Sequence, residues 1–165
     1  MMRGPFPFLR RFRRDDDGAA LVEFALILPV LLLFFAVTIE GSRMMWSYQA
    51  TIAGVRDATR FLGRSVQTDV CAKGASLAAW EARVTQIVRD TTEGNTLFPA
   101  SITVDRVVPM LTCFGGGYRL ATTPVATVTA DLTITWPFAG VLSVFGTTLP
   151  TTRTQVADTG RIFGT

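Results

Sequence analysis

Apolar residues form one long continuous run, close to the start of the chain. From Ala19 to Ile39 the sole formally charged residue is Glu23. A helix rises about 1.5 Å per residue, so this run can cross roughly 30 Å of bilayer hydrocarbon. Pro29 lies within the run, and membrane helices tolerate the backbone donor that a proline removes. The pattern therefore predicts one membrane-spanning helix.

Beyond Glu40 the apolar residues recur every three or four positions, as they do in a helix with one buried face. The members of this face are Tyr48, Ile52, Val55, Thr59 and Leu62. Charged residues of the same stretch fall elsewhere on the helical wheel. We therefore predict a single helix from about residue 19 to residue 64, with its outer half laid on a sheet.

A second, shorter helix is predicted from Ser76, as its N-cap, to about Thr92. Its apolar face contains Leu77, Trp80, Val84, Ile87 and Val88. Gly94 and Asn95 provide a stop signal directly after it.

From residue 101 onward the apolar period changes to two, which is typical of half-buried strands. Strands are predicted at 102–108 and 110–114, before a glycine turn at 115–117, and a last strand at 151–156. The clearest alternation places Ala126, Val128, Ala130, Leu132, Ile134 and Trp136 on one face. Residues 137–150 are predicted to be a long loop with an apolar centre that covers a sheet edge; a short helix lying on the membrane or on a partner is the alternative. The expected fold class is α+β: a long N-terminal membrane-spanning helix packed on a small antiparallel sheet, with a second short helix.

Positive charge is concentrated ahead of the apolar run. Five arginines precede it, whereas Arg43 alone follows closely; the five are Arg3, Arg10, Arg11, Arg13 and Arg14. Such a bias keeps the amino terminus in the cytoplasm. We therefore expect a cytoplasmic leader at 1–18, a transmembrane helix at 19–40 and an extracytoplasmic domain at 41–165. A secretory signal peptide is the alternative, but the run is longer than the usual 7–15 residues of such signals.

Glu23 is the most informative residue of the apolar run. A carboxylate near the middle of a spanning helix costs about 2.5–3.5 kcal/mol, so a charged residue there is a functional candidate by default. Glu23 lies one turn inside the run, where the cost is lower. The alternative is a tolerated glutamate at the interface of an ordinary membrane anchor.

The two cysteines of the chain are Cys71 and Cys113. Both follow the membrane helix and therefore lie on the side predicted to be oxidising. An even number of cysteines in a small exported domain favours a disulfide. Two buried, unpaired thiols are the alternative.

Catalytic chemistry finds little support in the composition. The chain has no histidine, which removes the commonest general base and metal ligand. The glycines at 115–117 lack the Gly-Lys-Ser/Thr continuation of a phosphate loop, and the acidic residues at 15–17 are interpreted as solvated. The net charge of +3 mostly reflects the arginine-rich head. We expect no enzyme activity, no metal, no cofactor and no nucleic-acid partner.

The start of the apolar run resembles the processing site of type IV prepilins. A short basic leader ends in the small residue Gly18, and Ala19 begins a hydrophobic helix whose fifth residue, Glu23, is followed by the aromatic Phe24. Residues 20–29, ALVEFALILP, are similar to the opening of the TadE-like pseudopilins of the Tad (Flp) branch. The resemblance covers about residues 10–60.

This resemblance implies a pilin-like fold, a processing step and an assembly role. In that family a membrane aspartyl peptidase removes the leader, here between Gly18 and Ala19. The freed amine is thought to pair with the glutamate of a neighbouring subunit. The resemblance therefore implies that Glu23, together with the adjacent Phe24, serves assembly. The implied partners are a prepilin peptidase, other pilin or pseudopilin subunits, the Tad assembly machinery and the membrane. The implied location is the bacterial inner membrane, crossed once, with the outer domain in the periplasm.

Two other functions remain open at this point. One is a single-pass, membrane-anchored binding protein that retains residues 1–18. The other is a pseudopilin of a type II secretion system, which shares the leader. The mature amino terminus separates the first of these from the pilin interpretation.

Overall fold

The computed structural model of the chain describes residues 16–94, 102–116, 122–136, 146 and 151–164. The helices are α1 (Asp16–Ser65) and α2 (Glu81–Glu93), with short 3-10 helices at Thr68–Val70 and Ala78–Trp80 between them. The strands are β1 (Ile102–Gly115), β2 (Thr122–Ile134) and β3 (Thr152–Arg161). This is the predicted α+β order. The chain divides into two compact units that meet between Ile39 and Glu40, and each is described by itself.

The first unit contains the apolar half of α1. Its residues from Gly18 to Ile39 are exposed or half-exposed on every side of the helix, and the helix continues through Pro29. The most apolar window of α1 has a mean hydropathy of 2.7 and contains no buried residue. A helix that is apolar all round needs lipid or other helices around it. Among the described residues α1 is the one helix long and apolar enough to cross a membrane, which suggests a membrane anchor.

The second unit contains the core, to which α1 contributes one stripe. Val55, Ala58 and Leu62 are fully buried, and Tyr48 and Ile52 pack against the core from its margin. The buried Thr59 hydroxyl donates to the Val55 carbonyl oxygen at 3.0 Å, so burial leaves it satisfied. The helical face predicted from the spacing is therefore confirmed, although the buried Thr51, Gly54 and Ala58 were not part of the prediction.

The sheet is antiparallel, with the strand order β1-β2-β3. Alternate residues of the central strand turn toward the core and are buried: Ala126, Val128, Ala130, Leu132 and Ile134. Threonines occupy the opposite face, where the Thr127 and Thr159 hydroxyl oxygens lie 3.2 Å apart. The alternation predicted for β2 is confirmed. β3 is longer than predicted because it continues past Val156 to Arg161.

The prediction of two strands separated near Pro109 is wrong, because the structure has a single strand, β1, in this region. It is one strand, and its register shifts between Val104 and Arg106. Pro109 lies inside it, opposite Val128. A proline has no N–H to give to a ladder, but an edge strand uses only half of its backbone groups and can accommodate one. The sequence did not show that β1 would be an edge strand.

The start of α2 is a second correction. Ser76 is not its N-cap; Trp80 is, and it makes no side-chain capping bond. The chain before α2 forms a 3-10 helix that places Leu77 in the core and the Trp80 ring 5.6 Å from that of Phe61. Leu77 is thus buried and Trp80 half-buried, and the N-cap lies four residues later than predicted. The apolar face of α2 is confirmed, since Val84 and Val88 are fully buried.

A close approach of α1 and α2 occurs at Gly54. A Cβ atom on this residue would lie 3.1 Å from the Thr91 Cβ and 3.2 Å from the Val88 Cα. Gly54 therefore has a packing role, because a side chain there would meet the backbone of α2.

Replacing Gly54 by leucine should destabilise the second unit. The larger side chain must displace the Val88 backbone, and overpacking of this kind typically costs about 1–3 kcal/mol. Gly41→Leu is the matched control, because a Cβ on Gly41 meets no atom within 4 Å. Thermal unfolding of both variants in detergent micelles measures the difference. Equal melting temperatures would contradict the close helix contact.

Candidate processing and assembly site

The predicted processing site lies at the amino end of α1. Helix α1 begins at Asp16, so Gly18 and Ala19 belong to its first turn. The first four N–H groups of a helix have no intrahelical acceptor, which makes this turn the easiest to unwind. Peptide bonds in such a turn can become extended without disturbing the rest of the helix. Residues 1–15 of the predicted leader lie outside the described residues.

Packing does not explain the glycine at position 18. A Cβ atom placed there would meet nothing within 4 Å, and the residue has helical neighbours on both sides. Glycine in a helix costs roughly 1 kcal/mol relative to alanine. Whatever favours a glycine here is therefore external to the fold of the described chain.

Glu23 lies one helical turn beyond Ala19, about 6 Å further along the axis. The spacing places Ala19, Val22, Glu23 and Leu26 on one face of α1, and all four are exposed. The Glu23 carboxylate makes no hydrogen bond or ion pair within the described part of the chain. Phe24, beside it, is 59% exposed. The site is thus an unpaired carboxylate and an exposed aromatic ring set in an apolar helix surface.

The expected disulfide is present in the second unit. Cys71 follows the first 3-10 helix and Cys113 lies near the end of β1; their Cα atoms are 5.9 Å apart. The bond borders a cleft whose apolar lining includes Val70, Leu77 and Pro109. It fastens the irregular segment before α2 to the sheet. The structure therefore supports the disulfide, whereas its place in a periplasmic domain stays a prediction.

The structure brings four of the six predicted site residues together: Gly18, Ala19, Glu23 and Phe24 occupy two consecutive turns of α1. The two cysteines belong to the other unit and have a structural role. Among the described residues, no group of three or more histidine, cysteine, aspartate or glutamate side chains could hold a metal ion.

Sequence reasoning missed a buried carboxylate of α1. Glu40 is only 6% exposed, and neither of its carboxylate oxygens has a hydrogen-bond partner in the described part of the chain. It lies one turn before Met44, which packs against the core. The signal was available, because Glu40 continues the three-four spacing of the buried stripe toward the amino end. Within the described part of the chain, a buried carboxylate without a hydrogen-bond partner carries a desolvation cost.

Comparisons with known proteins bear on the same stretch of α1. The family model described as TadE-like protein matches residues 18–60. No curated protein and no solved structure matches the chain. The matched segment starts at Gly18, includes Ala19, Glu23 and Phe24, and ends within α1, so it does not extend to α2 or the sheet. Over residues 18–60, the chain is therefore similar to the TadE-like protein family, as its opening residues suggested.

Proposed function

We propose that this chain is a minor pilin or pseudopilin that acts in the assembly of a Tad (Flp) pilus, and that a prepilin peptidase processes it after Gly18. The observation that carries the proposal is the family match over residues 18–60, which begins at the proposed cleavage site. The structure adds that the matched segment lies within one uninterrupted helix with an apolar, exposed first half. The role is structural rather than catalytic, and the partners are the peptidase, other subunits and the assembly machinery.

The proposed role of Glu23 follows from its unpaired state. Cleavage after Gly18 creates a positively charged amine on Ala19, and a carboxylate in an apolar surrounding is stabilised by such a partner. A neighbouring subunit that is displaced along the helix axis by about 6 Å brings its amine level with Glu23. The pairing therefore favours a staggered, parallel arrangement of helices. Phe24 and the apolar residues around it supply the contact surface of that arrangement.

The proposed topology places the amino terminus in the cytoplasm and the second unit in the periplasm. The arginines ahead of α1 favour this orientation. The Cys71–Cys113 bond is in keeping with it, because disulfides persist in the periplasm and are rare in the cytosol. The helix serves as the anchor of the precursor in the inner membrane before assembly.

The amino terminus of the wild-type protein tests the proposal. Terminal sequencing or intact mass of protein co-expressed with its own peptidase should show Ala19 as the first residue. A mature protein that still begins at the start of the leader would overturn the processing step. It would favour a membrane-anchored binding protein that retains residues 1–18.

Replacing Glu23 by alanine should separate processing from assembly. The change removes the carboxylate and keeps helix propensity, so membrane insertion should be unharmed or improved. Cleavage after Gly18 should persist, while recovery of partner subunits with the protein should fall. Glu23→Gln, which keeps the shape of the side chain, should behave like the alanine variant. Unchanged assembly in both variants would reduce Glu23 to a tolerated glutamate.

A further inference from the structure

The two outer strands of the sheet are shielded unequally. Native proteins protect edge strands from pairing with other chains by bulges, prolines, charges or covering elements. β1 has such protection: its register shifts beside Val104, it contains Pro109, and the Arg89 guanidinium donates to the Val104 carbonyl oxygen at 3.3 Å. β3 contains no proline, and no register shift interrupts its pairing with β2; its protection is limited to the charged residues Arg153, Asp158 and Arg161. Residues 137–145 and 147–150, most of the loop predicted to cover a sheet edge, lie outside the described residues.

The direction of the backbone groups of β3 follows from two hydrogen bonds at its end. The Ile162 N–H donates to the Pro124 carbonyl oxygen at 3.0 Å, so this residue turns toward β2. The Phe163 N–H donates to the Gly63 carbonyl oxygen at 2.7 Å, so the next residue turns outward to α1. Backbone groups alternate along a strand. Gln155 and Ala157 therefore turn their N–H and C=O groups outward, away from β2.

Helix α1 covers one end of this edge and leaves a groove at the other. Near the carboxyl end of β3 a Cβ on Gly63 would lie 3.0 Å from the Arg161 carbonyl oxygen, so helix and strand are in contact there. Nearer the middle of the strand a groove of about 290 Å³ opens between the two elements. Tyr48, Ile52 and Arg56 line it from the helix, and residues 155–158 line it from β3.

The groove is lined by polar groups that have no partner within the described residues. The Tyr48 hydroxyl and the exposed Arg56 guanidinium make no hydrogen bond or ion pair within the described residues. Ile52 provides a half-buried apolar surface between them. Asp158 is the acidic member of the lining, and it forms no ion pair with Arg56. Two outward-facing backbone positions, one guanidinium and one apolar side chain together fit an extended peptide.

We propose that this groove binds an extended segment of another protein chain, which adds to β3 as a fourth strand and places a carboxylate against Arg56. Ile52 and Arg56 are one turn apart, or about 6 Å. Alternate residues of a strand are about 6.7 Å apart, so an apolar residue beside Ile52 and an acidic one beside Arg56 can share one face of the added strand. Strand addition is an established mode of peptide recognition. The inference goes beyond the proposed function, because it needs neither cleavage after Gly18 nor Glu23.

Hydrogen exchange of the full-length protein in detergent micelles tests this proposal. The probe is the acetylated, amidated peptide Thr-Val-Thr-Glu-Thr-Val-Thr, in which valine and glutamate alternate in either strand direction. We expect the peptide to slow exchange at the amides of Gln155 and Ala157. Fluorescence anisotropy of a labelled copy gives its affinity. Loss of the charge-assisted bond in Arg56→Gln should weaken binding about tenfold.

Matched controls separate strand addition from general charge attraction. Arg60→Gln removes an arginine one turn along the same helix, exposed and outside the groove, and should leave the affinity unchanged. Ala157→Pro removes an outward N–H and should also weaken binding, with circular dichroism as the check of folding. A peptide with lysine in place of glutamate should bind less tightly than the original. Absence of protection at Gln155 and Ala157, or equal affinity for Arg56→Gln and wild type, would overturn the proposal.

Discussion

Replacing Gly18 by arginine should abolish processing and leave the full precursor, heavier by residues 1–18. The proposed peptidase must fit the side chain that precedes the cut, and a long charged group does not fit where a glycine stood. The fold gives no competing reason for a loss, because a Cβ at position 18 meets nothing within 4 Å. An added arginine ahead of the apolar run also strengthens the bias that keeps the amino terminus in the cytoplasm. Intact mass of the membrane-extracted protein, co-expressed with its peptidase, measures the outcome.

Gly18→Ala is the matched control, since alanine remains small and raises helix propensity by roughly 1 kcal/mol. It should be processed in larger proportion than the arginine variant. Wild-type and Gly18→Arg proteins with the same mature terminus would show that the cut does not follow Gly18. If both the wild-type and the Gly18→Arg protein keep the full precursor mass, while the peptidase is shown to cleave another substrate, the proposed processing is wrong.

The regular elements could be predicted because their buried positions repeat with a fixed period. Val55, Thr59 and Leu62 follow the helical spacing, and all three are buried. Ala126 to Ile134 follow the strand spacing, and their alternate residues are buried on one face. Hydrophobic burial gives the largest favourable term in folding, so a repeated apolar pattern indicates which face an element buries. The charge of Glu23 stood out for the same reason, as an exception to an apolar pattern.

Features that depend on neighbouring elements could not be predicted from local patterns. Pro109 indicates a strand end unless one knows that β1 lies at a sheet edge. Ser76 has the preferred chemistry of an N-cap, but the helix starts after Trp80, where Leu77 is buried and Trp80 packs against the core. Gly54 has no local signal of its own, because its role is the approach of a residue on α2. In each case the deciding feature is another element of the fold that lies beside the residue.

The predicted domain boundaries stay a prediction. Glu40 shows why a boundary between a membrane helix and a folded domain is hard to place from charge. This residue ended the predicted transmembrane helix because it is charged. The structure places it as the first residue of the second unit, buried and with both carboxylate oxygens unpartnered in the described chain. Glu40 thus ends the apolar run and is also the first residue of the buried stripe of α1. Charge alone does not distinguish an interfacial position from a buried one.

Replacing Cys71 by serine should lower the stability of the second unit more than Gly54→Leu does. The disulfide joins residues with a sequence separation of 42. The chain-entropy model gives a loss of about 4 kcal/mol when a loop of this size is no longer closed. The total stability of a domain is only about 5–15 kcal/mol, and a loss of this size corresponds to a fall of roughly 10–20 °C in melting temperature. Thermal unfolding of the oxidised, full-length protein in detergent micelles measures it.

The two single variants and the double variant together provide the sharper test. Cys113→Ser should lower the melting temperature as much as Cys71→Ser, because each removes the same bond. The double variant should lose no more than either single one, since coupled residues are not additive. Cys71 is half-exposed and Cys113 exposed, so a remaining thiol or a new serine hydroxyl stays within reach of water and adds little cost of its own. Thiol titration of the folded wild-type protein should find no free thiol until a reductant is added. Additive losses in the double variant would show that the stability of this unit does not depend on the bridge. Two reactive thiols before reduction would show the same, and they would also weaken the proposal that the unit lies in the periplasm.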